Sequence, residues 1–274
     1  MRLKTFLMTL GAAAPAITLL MAVPADAHRR WLLPSATVLS GDSETVTVDA
    51  ASSNGLFLFE HNALPLSGLE ITGPDGRAVA PNVIGSGEYR SVFDVSLQMA
   101  GTYRIALRRD QIMARYTLNG EEKRWRGTTA DLDGAIPAEA QDVRVSRTDA
   151  RIETFATLGA PNDTALQPIG EGLEMVPVSH PNDLVVGEEA QFRFLLNGEP
   201  AAGLEVEIVP GGTRYRDDAR VQMLTADQDG IVSFTADAPG FWYFEAAADA
   251  GTPVDPRIDV RRASYSAVLE VLPL

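Results

Sequence analysis

Apolar residues alternate with polar ones at a period of two in many short runs of this chain. "ETVTVDA" (44 to 50), "YRSVFDVSL" (89 to 97), "AQFRFLL" (190 to 196), "IVSFTAD" (231 to 237) and "SAVLEVL" (266 to 272) each place their apolar side chains on one face of an extended segment. Turn chemistry separates the runs. "GPDG" (73 to 76), "LNGE" (118 to 121), "LNGEP" (196 to 200) and "ADQDG" (226 to 230) carry the Gly, Asn and Asp that reach positive φ at little cost. Short strands with frequent turns predict an all-β protein built of antiparallel sandwiches. Only "TADLDGAIPAEAQD" (129 to 142) has helical character, and its Gly and Pro limit it to a short turn.

The strand grammar occurs twice. "PLSGLEITGPDGRAV" (65 to 79) leads to "MAGTYRIALRRD" (99 to 110), and "PAAGLEVEIVPGG" (200 to 212) leads to "APGFWYFEAAAD" (238 to 249). Each copy has a Gly before a Leu-x-Ile or Leu-x-Val strand, then a turn, then a Gly-aromatic strand. Two sandwich domains follow, over residues 28–165 and 171–274, with the Pro-, Gly- and Asn-rich "APNDTALQPIGEG" (160 to 172) as connector.

Residues 1–27 have the form of a cleaved signal peptide: Arg2 and Lys4, an apolar run interrupted by Pro15, and the small-residue site "ADA" (25 to 27). Cleavage after Ala27 makes His28 the first residue of a periplasmic chain. No later apolar segment reaches spanning length, so direct membrane insertion of the mature chain is not expected. Removing the leader takes away two basic residues and one acidic one, and the formal charge moves from −14 to about −15. A surface this acidic repels nucleic acid phosphates. With no cysteine, thiol catalysis and disulfides are excluded.

No nucleophile elbow, phosphate loop, dinucleotide fingerprint or metalloprotease helix is present, so no catalytic residue is assigned and an enzyme is not expected. The three histidines are the better lead. His28 at a free terminus offers an amine and a ring nitrogen, which together chelate a divalent ion, and such nitrogens suit nickel, cobalt, copper and zinc. His61 in "LFEHNAL" and His180 in "PVSHPND" are the other imidazoles, each beside acidic or amide groups: Glu60, Asn62, Asn182 and Asp183. All three are far apart in sequence, so only the fold can assemble them. Otherwise His28 merely follows a cleavage site, His61 occupies a turn and His180 a surface loop. Tyr215 and Asp217 in "PGGTRYRDD" (210 to 218) are further candidate oxygen ligands, unless that loop only turns the chain and pairs Arg214 or Arg216 with a carboxylate. "EEKRWRG" (121 to 127) reads as a solvated turn.

The segments "AHRRWLLPS", "FEHNALPLSGLEITGPDG", "VPVSHPNDL", "VPGGTRYRD" and "RRASYSAVLEVLP" together resemble the bacterial periplasmic family labelled as the periplasmic component of cobalt or nickel uptake systems, and the likeness spans essentially the whole mature chain. The second half, with "TADQDGIVSF" (225 to 234), is similar to immunoglobulin-like and transthyretin-like modules. The resemblance implies an exported two-domain β protein that binds a transition-metal ion through His28, His61 and His180 and hands it to a membrane metal transporter or outer-membrane receptor. Two alternatives stand beside it. One is a non-enzymatic adhesion or polysaccharide-binding module reading glycans with Trp31, Trp125 and Trp242. The other, ranked last, is copper-dependent oxidation at the amino-terminal histidine.

Overall fold

The computed structural model describes residues 28–274, so the leader read from residues 1–27 lies outside the described residues. The regular structure of the described chain is almost wholly strand, with three single turns of 3₁₀ helix. One of these, Thr129–Asp131, is all that forms of the helical stretch expected near residue 130. Two of the three Asn-Gly pairs make hairpin turns with positive φ at each residue: 53° and 79° at Asn119 and Gly120, 53° and 84° at Asn197 and Gly198.

Three sheets form. A first sheet runs Arg29–Pro34, Glu44–Ser53, Ser91–Leu97 and Asn82–Ser86 in spatial order. A third holds Leu173–Pro177, Glu189–Leu196 and Ile231–Thr235. Between them lies a ten-stranded sheet common to both halves, in which Leu69–Thr72, Gly101–Leu118 and Gln141–Leu158 continue into Val260–Leu272, Gly240–Asp249, Glu205–Pro210 and Gln222–Thr225. The repeated grammar maps onto this order. In each half the Leu-x-Ile or Leu-x-Val strand pairs antiparallel with the Gly-aromatic strand, Leu69–Thr72 with Gly101–Leu118 and Glu205–Pro210 with Gly240–Asp249.

Each half is an antiparallel sandwich, and the two are joined by a parallel seam that sequence reading did not anticipate. Gln141–Leu158 pairs in parallel with Val260–Leu272, from Ser146 opposite Val260 to Thr154 opposite Val268. The two outer sheets cover opposite faces of the common sheet. Ile152, Ala156 and Leu158 point into the first core with Leu32, Val46, Val48 and Phe93, whereas Phe155 points into the second with Phe192, Phe194, Phe244 and Leu269. Strand alternation requires this, because neighbouring residues face opposite ways. Two junctions between the halves result, one on each face. On one, Trp31, Ala51 and Leu56 of the first half pack on Val209, Tyr243 and Val268 of the second. On the other, the third sheet ends against the outward face of the first half's strands. Among the described residues no helix is long and apolar enough to cross a membrane.

Candidate functional site

The first junction carries two of the three histidines. Arg29 lies opposite Ser53 on one edge of the strand Glu44–Ser53, and Asn62 lies opposite Ser52 on its other edge. The residues just before them, His28 and His61, therefore arrive at the same end of one strand from its two sides. Their imidazole rings stack, with centroids 3.8 Å apart and an 11° interplanar angle. His28 is half-buried and His61 exposed, so the pair lies at the surface.

Both histidines are held by their neighbours in sequence. Arg29 donates from Nε and Nη2 to Glu207 Oε1, at 3.0 and 2.6 Å, which ties the first strand to the second half. The loop that delivers His61 is anchored by buried Leu56 and by Phe57, whose ring meets Trp31 edge-on at 5.7 Å. Thr213 Oγ1 donates to the Leu56 carbonyl oxygen at 3.0 Å. Gly211 is required there: an added Cβ would come within 2.8 Å of the Phe241 carbonyl oxygen and 3.2 Å of the Phe57 ring. Glu60 closes the loop by accepting from Ser53 Oγ and the Gly55 amide, at 3.2 and 3.3 Å. Beneath the site Glu245 stands opposite Glu207. Burial above all, and then the Glu207 charge, push its carboxyl upward, against the opposing pull of Arg30 and Arg29.

His180 stands apart from that pair. It binds Thr102, whose partner Thr157 takes the backbone carbonyl of Thr37 beyond the far end of the first strand, whereas His28 precedes that strand's start. Nδ1 of His180 accepts from the Asn182 amide at 3.2 Å, so Nε2 carries the proton and donates to Thr102 Oγ1 at 2.9 Å. Thr157 Oγ1 donates to Asn182 Oδ1 at 2.9 Å, so the remaining hydroxyl bond runs from Thr102 to Thr157. Both ring nitrogens are thus occupied in a neutral imidazole, and burial, the largest influence, holds its pKa below the usual value. The expected three-histidine set is brought together only as His28 and His61. Among the described residues no group of three or more His, Cys, Asp or Glu is assembled for a metal ion.

Trp31 and Trp242 are fully buried, and Trp125 is partly buried against a small satellite core, which removes most of the aromatic surface a glycan reader needs. "EEKRWRG" is a strand rather than a turn, Glu121–Gly127, because it extends the register of Gly101–Leu118 beyond the sandwich. Tyr215 is 84% exposed. Arg216, expected to seek a carboxylate, instead donates to the carbonyl oxygens of Gly211 and Pro210 at 2.7 and 2.9 Å and fixes the loop that carries Thr213.

A family model described as "Domain of unknown function (DUF4198)" matches residues 25–250. No curated protein matches the sequence. Among solved structures, the D0-D1 domain of Intimin is 9% identical over 88% of this chain and 97% of that one, with a TM-score of 0.22. An alpha-2-macroglobulin from Escherichia coli, activated by porcine elastase, is 15% identical over 90% of this chain and 20% of that one, with a TM-score of 0.23. The two tandem V-type regions of VCBP3, a v-region-containing chitin binding protein, are 11% identical over 87% and 98%, with a TM-score of 0.21. Superpositions at this level carry nothing about activity, and the fold rests on the strands described above.

Proposed function

We propose that this chain, which belongs to the DUF4198 family of domains of unknown function, binds a divalent transition-metal ion at a surface site built on His28 and His61. The observation that carries the reading is the contact of these two imidazoles, 3.8 Å between centroids, produced by strand register from residues remote in sequence. Neutral imidazole nitrogens are the commonest protein ligands for such ions. The donor set fits a two-imidazole site. Glu60 is engaged by Ser53 and Gly55 and orients the loop rather than adding a ligand.

Stacked rings present their nitrogens side by side, so joint ligation requires one ring to turn. His61, the exposed member, has the room to do so. In a chain cleaved after Ala27 the terminal amine of His28 adds a third nitrogen and closes a small chelate ring. Export to the periplasm and delivery of nickel, cobalt, copper or zinc to a membrane transporter extend this reading, and their support is the resemblance of the sequence segments. His61→Ala tests the core of it. Binding of the ion should weaken at least about tenfold, since even the loss of an outer-shell partner of a ligand costs that much. Equal affinity in the variant would contradict the two-histidine site.

A further inference from the structure

We infer that the second junction is a binding site for a small polycarboxylate anion, with Arg108 as its recognition residue, the buried charge of Arg151 beneath it, and Glu171 as a built-in carboxylate that the ligand displaces. This inference is independent of the metal reading and lies on the opposite face of the common sheet. Residues 147, 149, 151 and 153 alternate onto the face of Phe155, which enters the second core, whereas Glu207 beside the histidine pair lies on the face away from Val206 and Ile208 of that core.

Like charges stand directly opposite one another on this face three times. Arg151 is opposite Arg108 and Asp149 opposite Asp110 in the antiparallel ladder, and Arg147 is opposite Arg261 in the parallel seam. Such pairs are unfavourable on an ordinary sheet and need compensation along the diagonal. The aspartate row has it in full: Arg147 reaches Asp110 at 2.9 Å and Asp149 at 2.8 Å, and Arg261 reaches Asp149 at 3.0 Å. The Arg108 and Arg151 row is compensated differently. Arg151 and Glu153 form a buried pair, 5% and 1% exposed. Arg108 is met from outside the sheet by Glu171 of the connector, at 2.7 Å.

Glu171 shows what the place accepts. Its carboxylate accepts one charge-assisted hydrogen bond from Arg108 Nη2 and also feels the charge of Arg151. The contact is weakly held, since Arg108 is 41% and Glu171 66% exposed, and an exposed ion pair of this kind contributes little. Gly170 and Gly172 flank Glu171 at φ of 80° and 67°, with no described residue within 4 Å of an added Cβ, so the outer side of the segment is open among the described residues. Arg108, Arg151 and Glu171 line a cavity of about 480 Å³, within the size range of small-molecule sites. A ligand with two or more carboxylates replaces the single one of Glu171 and gains contacts that Glu171 cannot make.

The test is calorimetric titration of citrate into the chelator-treated full chain, with inorganic phosphate at matched ionic strength as comparator. Glu171→Gln should bind citrate about fivefold more tightly than the parent, because the internal competitor is gone. Arg108→Ala should bind at least about tenfold more weakly. His28→Ala should bind as the parent does. Failure of Glu171→Gln to bind citrate more tightly overturns the inference, and that variant leaves every buried partner in place. Phosphate bound as tightly as citrate, or citrate binding lost in His28→Ala, overturns it equally.

Discussion

Arg29 of the first strand donates two hydrogen bonds to one carboxylate oxygen of Glu207 in the other half of the molecule. The bond fixes the residue next to His28, so the place of that histidine depends on both sandwiches. Glu207→Ala should release Arg29 and leave it partly buried without its partner. A cost of about 1–2 kcal/mol in chemical denaturation is expected for a charge-assisted bond at partial burial. Metal affinity should fall several-fold in the same variant, although Glu207 is not a ligand. An unchanged affinity would show that His28 is positioned by its own strand alone.

Trp31 is fully buried beneath the loop that carries His61, and its indole Nε1 has no hydrogen-bond partner among the described residues. Its value to the fold is therefore apolar volume. Trp31→Phe should change stability by less than about 1.5 kcal/mol, because ring packing is largely kept and the unpaired N–H is removed. Trp31→Ala should cost about 3–5 kcal/mol through the cavity it leaves. Urea denaturation of both variants checks this, and a large loss in the Phe variant would mean that the indole nitrogen makes a needed bond.

Burial raises the Glu245 carboxyl, so the folded state binds its proton more tightly than the unfolded state does. The stability this gives is present below the ordinary glutamate pKa and is lost as the pH rises through the raised folded value. Glu245→Gln, a neutral mimic, should therefore gain stability relative to the parent at pH 7 compared with pH 4. Denaturation midpoints at the two pH values decide it, and an equal difference at both would contradict the direction of the shift.

His180 titrates in the opposite sense. Its lowered pKa means that the unfolded chain takes up a proton first, so stability is present above the ordinary histidine value and lost as the pH falls. The stability advantage of the parent over His180→Gln should be largest above the ordinary histidine pKa of about 6.5 and shrink below it. Thermal unfolding of both proteins across that range checks the sign. A constant gap would mean that His180 is not held neutral.

The strands of both cores were legible because one face of each is buried, and burial writes itself as alternation. The Asn-Gly hairpins at 119–120 and 197–198 were legible because positive φ at two successive residues selects that pair. The parallel seam was not, since nothing in "DARIETFATLG" or "SYSAVLEVL" marks them as partners of each other rather than of nearer strands. Glu121–Gly127 was missed for a related reason: five of its seven residues are exposed, so no apolar period marks it. For the site, residue type pointed to His28 and His61, but their meeting is a consequence of register that spacing does not contain. His180 carried a readable signal in "SHPND", where Asn182 is placed to bond back to the ring two residues earlier. The arginine rows required pairings across strands and escaped sequence reading entirely.

The most direct test of the metal-site account is titration of nickel, cobalt, copper and zinc into the purified protein, after intact mass has established its first residue. The parent is compared with His61→Ala and with a form carrying one extra alanine ahead of His28. The account predicts binding of one ion per chain, weakened in His61→Ala and weakened again when the terminal amine is moved away from His28. Equal binding by all three proteins, or binding by none, would contradict it.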